Sequence, residues 1–593
     1  MIPLLFLSCV YVPSAGAANA PDMIQHSSQF TVAERTQRDV SKPVPIDQLV
    51  TPGISLNSLV YNTNGYVKST SDVVVSHLSS GVQTFMLDLY WNEFTHIWQL
   101  CPAPFPSNVT NSLDDVVDLY WNGQQYRCEV GLTVDQLMNS IASFISSTHT
   151  NLEVNLLELL INLKTISATT SNKTSVTTST YTSSNPAFNA LGNSTLANTF
   201  ASLGSYVFSP SDLATYRTSQ MQNQEYSSFY NQSTNSLPSL DTVLFSYFKR
   251  IFINIVTVDL HSSANSYSFS SADNSTVFFS SMDLASTIVS NSNSEVLSNC
   301  DEINTSPVFN ITTFDKLSLA THFRYVIDED GYPFTNDTYS QYLRCGYSPI
   351  LNATQYQIPN LNNVSTSNIS AIADTFMPIS FWSWAKGEPR APSSYNLNST
   401  NSNYTLAESD SNYDSSADGS QVAYQCVAVN ENGWTVQNCY RALHYACQND
   451  ESPNDWIIPK EKKQYFEAYK DLTCPEGYRF SLPSSSVEMM SLQNSIRIQE
   501  AIYPVWIDLN DITVSNCFVS GGPYAECPYQ RTVSEAGLAG LIAPSFVVAV
   551  VVLFLVFLEK IFRVNPIQTN RRRYWKRVIV EYNKKHDYEG VPS

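Results

Sequence analysis

The sequence has 593 residues, and 43% of them are hydrophobic, which is enough for two or three domains with sizeable cores. Only 14% are charged, which is low for a soluble surface, so N-linked glycans are the expected source of additional solvation. The net charge of −20 argues against direct nucleic-acid binding by the main body, because an acidic protein repels phosphate backbones.

The first segment of the chain has the pattern of a secretory signal peptide. An apolar run over residues 1–13 is followed by Ala15-Gly16-Ala17, a small-x-small cleavage site, so we expect residues 1–17 to be removed. No Lys or Arg precedes the run, which leaves an uncleaved anchor as the alternative. Residues 18–28 are expected to form a loose leader.

Residues 29 to about 260 alternate between short apolar runs and helix-like stretches, a pattern typical of an α/β fold such as a barrel, and we expect the barrel domain to span 18–299. The predicted elements are a strand at 82–89, an amphipathic helix at 134–147, a strand (or a strand with a short helix) at 152–163, an exposed Ser/Thr-rich loop at 165–184, and a helix followed by a strand within 247–260.

The stretch FMLDLYWNEFTHIWQLCP at 85–102 resembles the catalytic X-type barrel of phosphatidylinositol-specific phospholipase C enzymes. The resemblance implies a TIM-type barrel. The positions of the family's two catalytic histidines would fall near residues 35–39 and near Cys101-Pro102, and neither contains His. That chemistry needs a histidine pair for proton transfer. We therefore expect a barrel with no catalytic residues.

Two residues of this stretch bear on an alternative hypothesis. Asp88, at a predicted strand end, either lines a pocket or serves as a helix cap or salt-bridge partner. His96 is expected to lie within the strand and to be structural. The alternative is a phosphodiesterase acting on inositol lipids or glycan anchors with non-standard residues. It requires another acid or a His at hydrogen-bonding distance from Asp88.

Residues 300–450 resemble a C-type lectin-like domain. The resemblance rests on Cys345, on FWSWAKGEP at 381–389, and on QCVAVNENGWTVQNC and HYAC within 425–447. It implies the disulfides Cys345–Cys447 and Cys426–Cys439. An Asn/Ser-rich insert at 393–420 is predicted to be a glycosylated, mobile loop.

The metal-binding motif of that lectin-like family is altered here. Members that bind calcium and sugar use Glu-Pro-Asn and Trp-Asn-Asp. This chain has Glu388-Pro389-Arg390 and Trp434-Thr435-Val436 instead. Calcium needs several oxygen ligands, and no zinc-type CxxC or HExxH pattern occurs, so we expect neither a metal nor a cofactor.

A further Cys-containing segment at 451–535 also resembles a lectin-like unit. Trp506, Asp508 and Asp511 could suggest a site, but a core anchor and turn acids are the expected roles. Cys9 leaves with the signal peptide, and the even number that remains indicates disulfides in an oxidising compartment. The sequence leaves the connectivity open; local loop closure suggests Cys517–Cys527, which would leave Cys474 for Cys300 and, by elimination, Cys101 for Cys128.

Residues 536–558 contain no charge and are long enough to cross a bilayer, so they predict one transmembrane helix; a buried core helix is the alternative. The tail 559–593 has nine Lys or Arg against four Asp or Glu and is expected to face the cytosol. Its segment 571–577, RRRYWKR, could serve as a stop-transfer anchor, a lipid-headgroup contact or, least favoured, a nucleic-acid or nuclear-import patch.

Glycosylation sequons occur only before the predicted transmembrane helix, which favours an extracytoplasmic body. The acceptor residues are Asn108, Asn172, Asn193, Asn231, Asn274, Asn304, Asn310, Asn336, Asn352, Asn363, Asn368, Asn398 and Asn403.

Nearly the whole chain resembles the fungal maintenance of telomere capping protein 6 family. The resemblance rests on AERTQRDV at 33–40, PVWIDLND at 504–511, VSNCFVSGGPYAECPY at 514–529 and EGVPS at 589–593. It implies a single-pass type I membrane glycoprotein with a role in telomere capping. We expect that role to be indirect, through non-enzymatic lumenal or extracellular modules.

The complete prediction is a phospholipase-C-like α/β TIM barrel, an α+β lectin-like disulfide-bonded region and one transmembrane helix. The expected location is the endomembrane system or the cell surface. The expected partners are the membrane and an unidentified lumenal protein, lipid or glycan, without direct nucleic-acid contact.

Overall fold

The computed structural model describes residues 27–105, 116–167, 192–223, 237–262, 264–280, 284, 286–305, 323–358, 362–365, 369–390, 424–470, 473–530 and 535–585. They belong to two compact units, Met1–Cys527 and Pro528–Ser593. The predicted signal peptide, the insert 393–420 and most of the predicted loop 165–184 lie outside the described residues.

The first part of the larger unit consists of strands that alternate with helices. Its elements are α1 Ser28–Val40, β1 Gly53–Ser55, α2 Asn62–Asn64, α3 Thr70–Ser79, β2 Thr84–Asn92, β3 Ile97–Gln99, β4 Val116–Trp121, β5 Gln124–Glu129, α4 Val134–Ser147, β6 Leu157–Ile166, α5 Leu196–Thr199, β7 Val207–Phe208, α6 Pro210–Asn223, β8 Ile251–Val258, α7 Ser271–Thr276, β9 Phe278–Phe279, β10 Ser286–Ser290, α8 Glu295–Thr305, β11 Phe323–Ile327, α9 Asn336–Arg344, β12 Ser348–Leu351, β13 Gln355–Ile358, β14 Asn362–Ser365 and α10 Ile369–Phe376.

A parallel, curled sheet forms the barrel. Its strand order is β10-β11-β12-β1-β2-β6-β8-β7, with β9 pairing farther along β8 and β3 antiparallel to β2. Among the described residues no ladder joins β9 to β10. The side chains of Asn254 on β8 and Ser286 on β10 nevertheless lie 3.2 Å apart, so the sheet edges approach each other. The α/β barrel prediction is confirmed at this level.

Two apolar layers follow from the strand alternation. Leu87 on β2 and Ile161 on β6 belong to the same core as Leu137 of α4, so this layer lies between sheet and helices. Phe252 and Phe323 belong to the other core, and their ring centroids lie 5.0 Å apart inside the sheet's curve. The predicted helix at 134–147 is confirmed as α4.

The barrel sheet extends beyond the predicted boundary at residue 299. Strand β11 pairs with β10, and β12 joins β11 to β1, all in parallel. The boundary predicted between 299 and 300 is therefore too early. Cys345 belongs to the barrel and not with the later cysteines, because the helix it follows, α9, lies between two barrel strands.

The second module contains a four-stranded and a three-stranded sheet. Its elements are β15 Tyr424–Asn430, β16 Gly433–Asn438, β17 His444–Tyr445, β18 Cys447–Asn449, β19 Trp456–Ile457, α11 Tyr465–Ala468, β20 Tyr478–Phe480, α12 Ser486–Ile498 and β21 Val505–Asn510.

Strand β21 lies between β15 and β17 in the sheet order β16-β15-β21-β17. Its Val505, Ile507 and Leu509 are fully buried in one core with Val427 and Val429 of β15. The two lectin-like segments predicted at 300–450 and 451–535 are therefore not separate units, because the central strand of one comes from the other. The C-type lectin-like identity of the module stays a prediction.

Helix α1 connects the two modules. Phe30 packs in the barrel core, whereas Val32 and Ala33 pack in the core of the second module. The Arg38 guanidinium donates to the carbonyl of Val154 at 2.8 Å, and the Ser41 hydroxyl donates to the carbonyl of Ser484 at 2.9 Å. These two hydrogen bonds, one to each module, fix both modules to the C-terminal end of the same helix.

All ten cysteines that follow the predicted signal peptide form disulfides. The predicted pairs Cys101–Cys128, Cys426–Cys439 and Cys517–Cys527 are confirmed. The other two predicted pairs, Cys345–Cys447 and Cys300–Cys474, are wrong. The bonds are Cys300–Cys345, which joins α8 to the end of α9, and Cys447–Cys474, within the second module. The partners differ because Cys345 belongs to the barrel.

The smaller unit contains one long helix, α13 Glu535–Lys585. Its segment Ala543–Ile561 has a mean hydropathy of 2.3 and none of it is buried against protein. By length and composition this segment is able to cross a membrane. It overlaps the predicted span at 536–558.

Candidate functional site

A polar cluster extends from the middle of β2 and β6 towards their carboxyl ends, the end of a TIM-type barrel where ligand sites form. Asp88 and Asn162 are register partners, and the Asn162 amide donates to the Asp88 carboxylate at 2.9 Å. Lys164, two residues further on, contacts the other Asp88 oxygen at 2.5 Å. The Tyr90 hydroxyl donates to the Asp88 carboxylate at 3.4 Å and completes the cluster. We name these four residues the mouth cluster.

The segment that follows β1 supports this cluster. Asn57 accepts a hydrogen bond from the Asp88 amide at 2.8 Å and donates to the Tyr66 hydroxyl at 3.2 Å. Burial raises the pKa of Tyr66 and of Tyr90, and the Asp88 charge raises both further, so both phenols stay protonated. The Asp88 carboxylate is thus surrounded by hydrogen-bond donors and one cation.

A second acid, Asp328, directly follows the carboxyl end of β11. Asp328 accepts backbone hydrogen bonds from Phe334 and Ala353 at 3.0 and 2.9 Å. Burial raises its pKa to about 6, although these bonds and the Tyr356 hydroxyl counteract the shift. Because its oxygens hold the loops after β11 and β12 together, Asp328 has a structural role.

Asp88 and His96, the two barrel residues considered in the sequence, occupy a salt bridge and an exposed turn. Asp88 forms a salt bridge, one of its two predicted roles. His96 is exposed in the turn between β2 and β3 with a φ of 54°, so its predicted location within the strand is wrong. The phosphodiesterase hypothesis required an acid or a His bonded to Asp88, but the carboxylate's hydrogen-bond partners are an amide, an amine and a phenol.

A cleft of about 490 Å³ lies between the barrel and the second module. Pockets of this size at domain interfaces commonly bind small ligands. Two cations, Arg344 of α9 and Lys386, line it together with one acid, Glu431. The Arg344 guanidinium donates to the carbonyl of Asn432 at 3.0 Å and thereby ties the two walls together. The aromatic lining residues are Phe381, Trp384 and Tyr503.

The charged side chains that line the cleft give it a small net positive charge. Burial lowers the pKa of Arg344, because desolvation disfavours its positive charge. Burial and the nearby Glu431 raise the pKa of Tyr503 to about 12, so this phenol stays neutral. The cleft thus contains one more cation than acid in a protein that is acidic overall.

The motif that would bind calcium in a lectin-like family lies beside this cleft. Glu388 pairs with Arg390 at 2.8 Å, so a guanidinium occupies the position beside that carboxylate. Burial raises the pKa of Glu388, and Arg390 counteracts the shift. Among the described residues no group of three or more His, Cys, Asp or Glu could hold a metal ion.

The acids near the end of the second module accept hydrogen bonds from backbone amides of the loop that follows them. Trp506 is fully buried and its indole donates to the carbonyl of Lys463 at 3.1 Å. Asp508 accepts from the amides of Gly521 and Gly522 at 2.8 and 3.0 Å. Asp511 accepts from the amide of Asn516 at 3.0 Å. These contacts agree with the expected core anchor and structural acids rather than with a site.

Asn162, Lys164 and the inter-module cleft were not predicted from the sequence. The pair on β6 could have been predicted, because two polar residues, Asn162 and Lys164, alternate with apolar ones near the end of the run LELLINLKTI. The cleft had no such signal, because its walls come from segments that are remote in sequence and that only packing brings together.

The fold and the mouth cluster define the class as partial TIM-barrel proteins with an appended disulfide-bonded module. The family description that matches residues 24–374 is the MTC6 partial TIM-barrel domain. The chain belongs to the maintenance of telomere capping protein 6 family.

Fungal relatives named maintenance of telomere capping protein 6 match over nearly their whole length. The protein of Debaryomyces hansenii is 43% identical over 617 residues, which cover 100% of this chain and 98% of the relative. That of Candida tropicalis is 46% identical over 581 residues, covering 95% and 94%. That of Komagataella phaffii is 27% identical over 569 residues, covering 95% of each.

Proposed function

We propose that this protein is a single-pass type I membrane glycoprotein whose body binds a ligand outside the cytosol without catalysing a reaction. The observation that carries the proposal is the apolar segment Ala543–Ile561, which follows a body held by disulfides. Disulfides persist in oxidising compartments, and the sequons all precede the segment. The basic residues after the segment fit a cytosolic tail.

The inter-module cleft is the proposed ligand site. Its volume suits a small molecule or a terminal sugar, and its aromatic residues offer faces on which an apolar or sugar surface packs. Arg344 and Lys386 favour an anionic group, which would also offset the partial desolvation of the Arg344 guanidinium. The proposed ligand is therefore a small anion with an apolar or sugar portion.

The relatives' name associates them with telomere capping, and we carry that role to this chain as a proposal. The effect is indirect on this view, because the acidic body would lie on the opposite side of a membrane from chromosomes. Only the short basic tail would reach the cytosol.

Enzymatic activity is not part of the proposal. In the mouth cluster, Lys164 and Asn162 already engage both oxygens of Asp88, which supports a structural ion pair. The phosphodiesterase alternative is not favoured by any contact of that carboxylate.

Topology is tested with the tagged full-length protein in sealed membrane vesicles. The protein should resist extraction at alkaline pH, lose mass on N-glycosidase treatment and lose only its tail to added protease. Digestion of the body in sealed vesicles would overturn the topology.

Ligand binding is tested by thermal unfolding with mannose 6-phosphate and with mannose as probes. The anionic sugar alone should raise Tm. Arg344→Gln and Lys386→Gln should abolish the shift, whereas Lys460→Gln, an exposed lysine outside the cleft, should retain it. If the two cleft variants left telomere capping intact in cells, the cleft would have no part in that role.

A further inference from the structure

The helix beyond the apolar segment has two different sides. Trp575, Val578, Ile579 and Tyr582 are spaced i, i+3, i+4 and i+7, so they lie on one side of α13. Trp575 and Ile579 are exposed by 58% and 54%. Such spacing produces an apolar stripe that normally packs against another surface.

The opposite side is basic. At 100° per residue, Arg572, Arg573, Lys576, Arg577 and Lys584 occupy the remaining arc, whereas Arg571 and Lys585, at the two ends of the segment, lie within and beside the apolar stripe. One acid, Glu581, lies near the boundary between the sides, and Val580 projects from the centre of the basic arc. Segment 571–585 therefore has seven cations and one acid together with an apolar stripe.

We propose that residues 571–585 form an amphipathic helix that lies on the anionic surface of the membrane from which it emerges. Basic amphipathic helices bury their apolar side at the headgroup boundary while their cations attract anionic lipid. The segment begins ten residues after Ile561, the end of the apolar span, so the nearest surface available to it is that same bilayer.

The connection between the two parts permits this arrangement. Pro566 lies between the span and the basic segment, and proline lacks the amide hydrogen that bonds to the residue four positions earlier. A bend at this position of the continuous helix α13 would turn the basic segment from the membrane normal towards the surface. The inference rests on the membrane-spanning part of the proposed function.

The experiment uses the full-length protein in vesicles of phosphatidylcholine alone or with added phosphatidylserine, with the tail outward. The readout is the rate of trypsin cleavage after the Arg and Lys residues of segment 571–577, measured by mass spectrometry. Cleavage should be several-fold slower with phosphatidylserine at low salt, and high salt should remove most of the protection.

Matched variants separate the apolar stripe from simple charge attraction. Trp575→Ser with Ile579→Ser should abolish most of the protection, whereas Val580→Ser, which also removes an exposed apolar side chain, should preserve it. Equal cleavage in both vesicle types, or protection that survives the double substitution, would overturn the proposal. Protection that requires an added cytosolic protein would also overturn it.

Failure of the membrane anchor is distinguishable from failure of this inference. Release of the protein from vesicles at alkaline pH would contradict the anchor itself. Retention of the protein together with unprotected residues 571–577 would contradict only the surface helix.

Discussion

Asp88 and Lys164 form an ion pair across the neighbouring parallel strands β2 and β6, with oxygen and nitrogen 2.5 Å apart. The aspartate side chain is 14% exposed and the lysine side chain 40%. Both point to the inner side of the sheet, because each is an even number of residues from an interior side chain on its strand, Met86 or Leu160. A carboxylate that alone would be costly to bury is thus neutralised within the barrel mouth.

Lys164→Ala should destabilise the protein by about 1 kcal/mol, a modest value because the lysine is partly in solvent. Asp88→Asn removes the charge but keeps a hydrogen-bonding oxygen, and in that background Lys164→Ala should cost much less. The measurement is a double-mutant cycle by thermal unfolding. Additive effects would show that the pair is not coupled.

The buried acid Glu488 should make stability depend on pH. It accepts hydrogen bonds from the amide of Ser484 at 2.8 Å and from Gln448 at 3.3 Å, and burial raises its pKa to about 8. The unfolded carboxyl ionises near pH 4.3, so the folded state binds more protons between these values. Stability should therefore fall as pH rises from about 4.3 to about 8.

The best window for this measurement is above about pH 6.5, the usual pKa of histidine. Below it, His77 opposes the trend, because burial lowers its pKa to about 4 and the unfolded state then binds more protons. Glu158, whose pKa burial raises to about 7, adds to the trend in the lower part of the window.

Between pH 6.5 and 8 the wild type should lose about 2 kcal/mol, and Glu488→Gln should lose much less. The exposed Glu526→Gln should behave as wild type. A Tm that is flat with pH in the wild type would contradict the burial of an ionisable Glu488.

Gly433→Ala should destabilise the second module. Gly433 has a φ of 126°, and a Cβ there would lie 2.7 Å from the Ala385 nitrogen and 2.8 Å from the Ser383 oxygen. Backbone strain and the clash together should cost about 2 kcal/mol or more, measured as a fall in Tm. Gly331→Ala is the matched control, since a Cβ at Gly331 meets nothing within 4 Å. Similar Tm values for both variants would contradict the close approach at Gly433.

The two disulfides that differ from the sequence prediction, Cys300–Cys345 and Cys447–Cys474, can be tested by peptide mapping and by the loss of stability when a disulfide is removed. Non-reduced peptides should link Cys447 to Cys474, and a Cys345–Cys447 peptide would contradict the structure. Replacing Cys300 and Cys345 by Ser should cost about 4 kcal/mol, because their loop spans 45 residues. Replacing Cys517 and Cys527, 10 residues apart, should cost about 3 kcal/mol.

Sequons should differ in occupancy. Asn274 is exposed at α7, whereas the Asn193 amide nitrogen, the atom that would carry a glycan, donates to both Asp135 oxygens at 2.9 and 2.8 Å. Glycopeptide mass spectrometry should find Asn274 largely modified and Asn193 less so. Full occupancy at Asn193 together with an unmodified Asn274 would contradict this expectation.

The sequence by itself determined the local features of this protein. Helix α4, strands β2 and β6, the disulfide Cys517–Cys527 and the apolar segment before the basic tail follow from periodicity, length or loop closure. Such features need only neighbouring residues, so no knowledge of the fold is required to predict them.

Tertiary structure alone decided the features that combine distant segments. It assigned Cys345 to the barrel rather than to the second module, placed β21 between β15 and β17, and formed the cleft around Arg344 and Lys386. The physical reason is that strand neighbours and disulfide partners are selected by the burial of whole faces, and a one-dimensional pattern shows which face is apolar without showing what covers it.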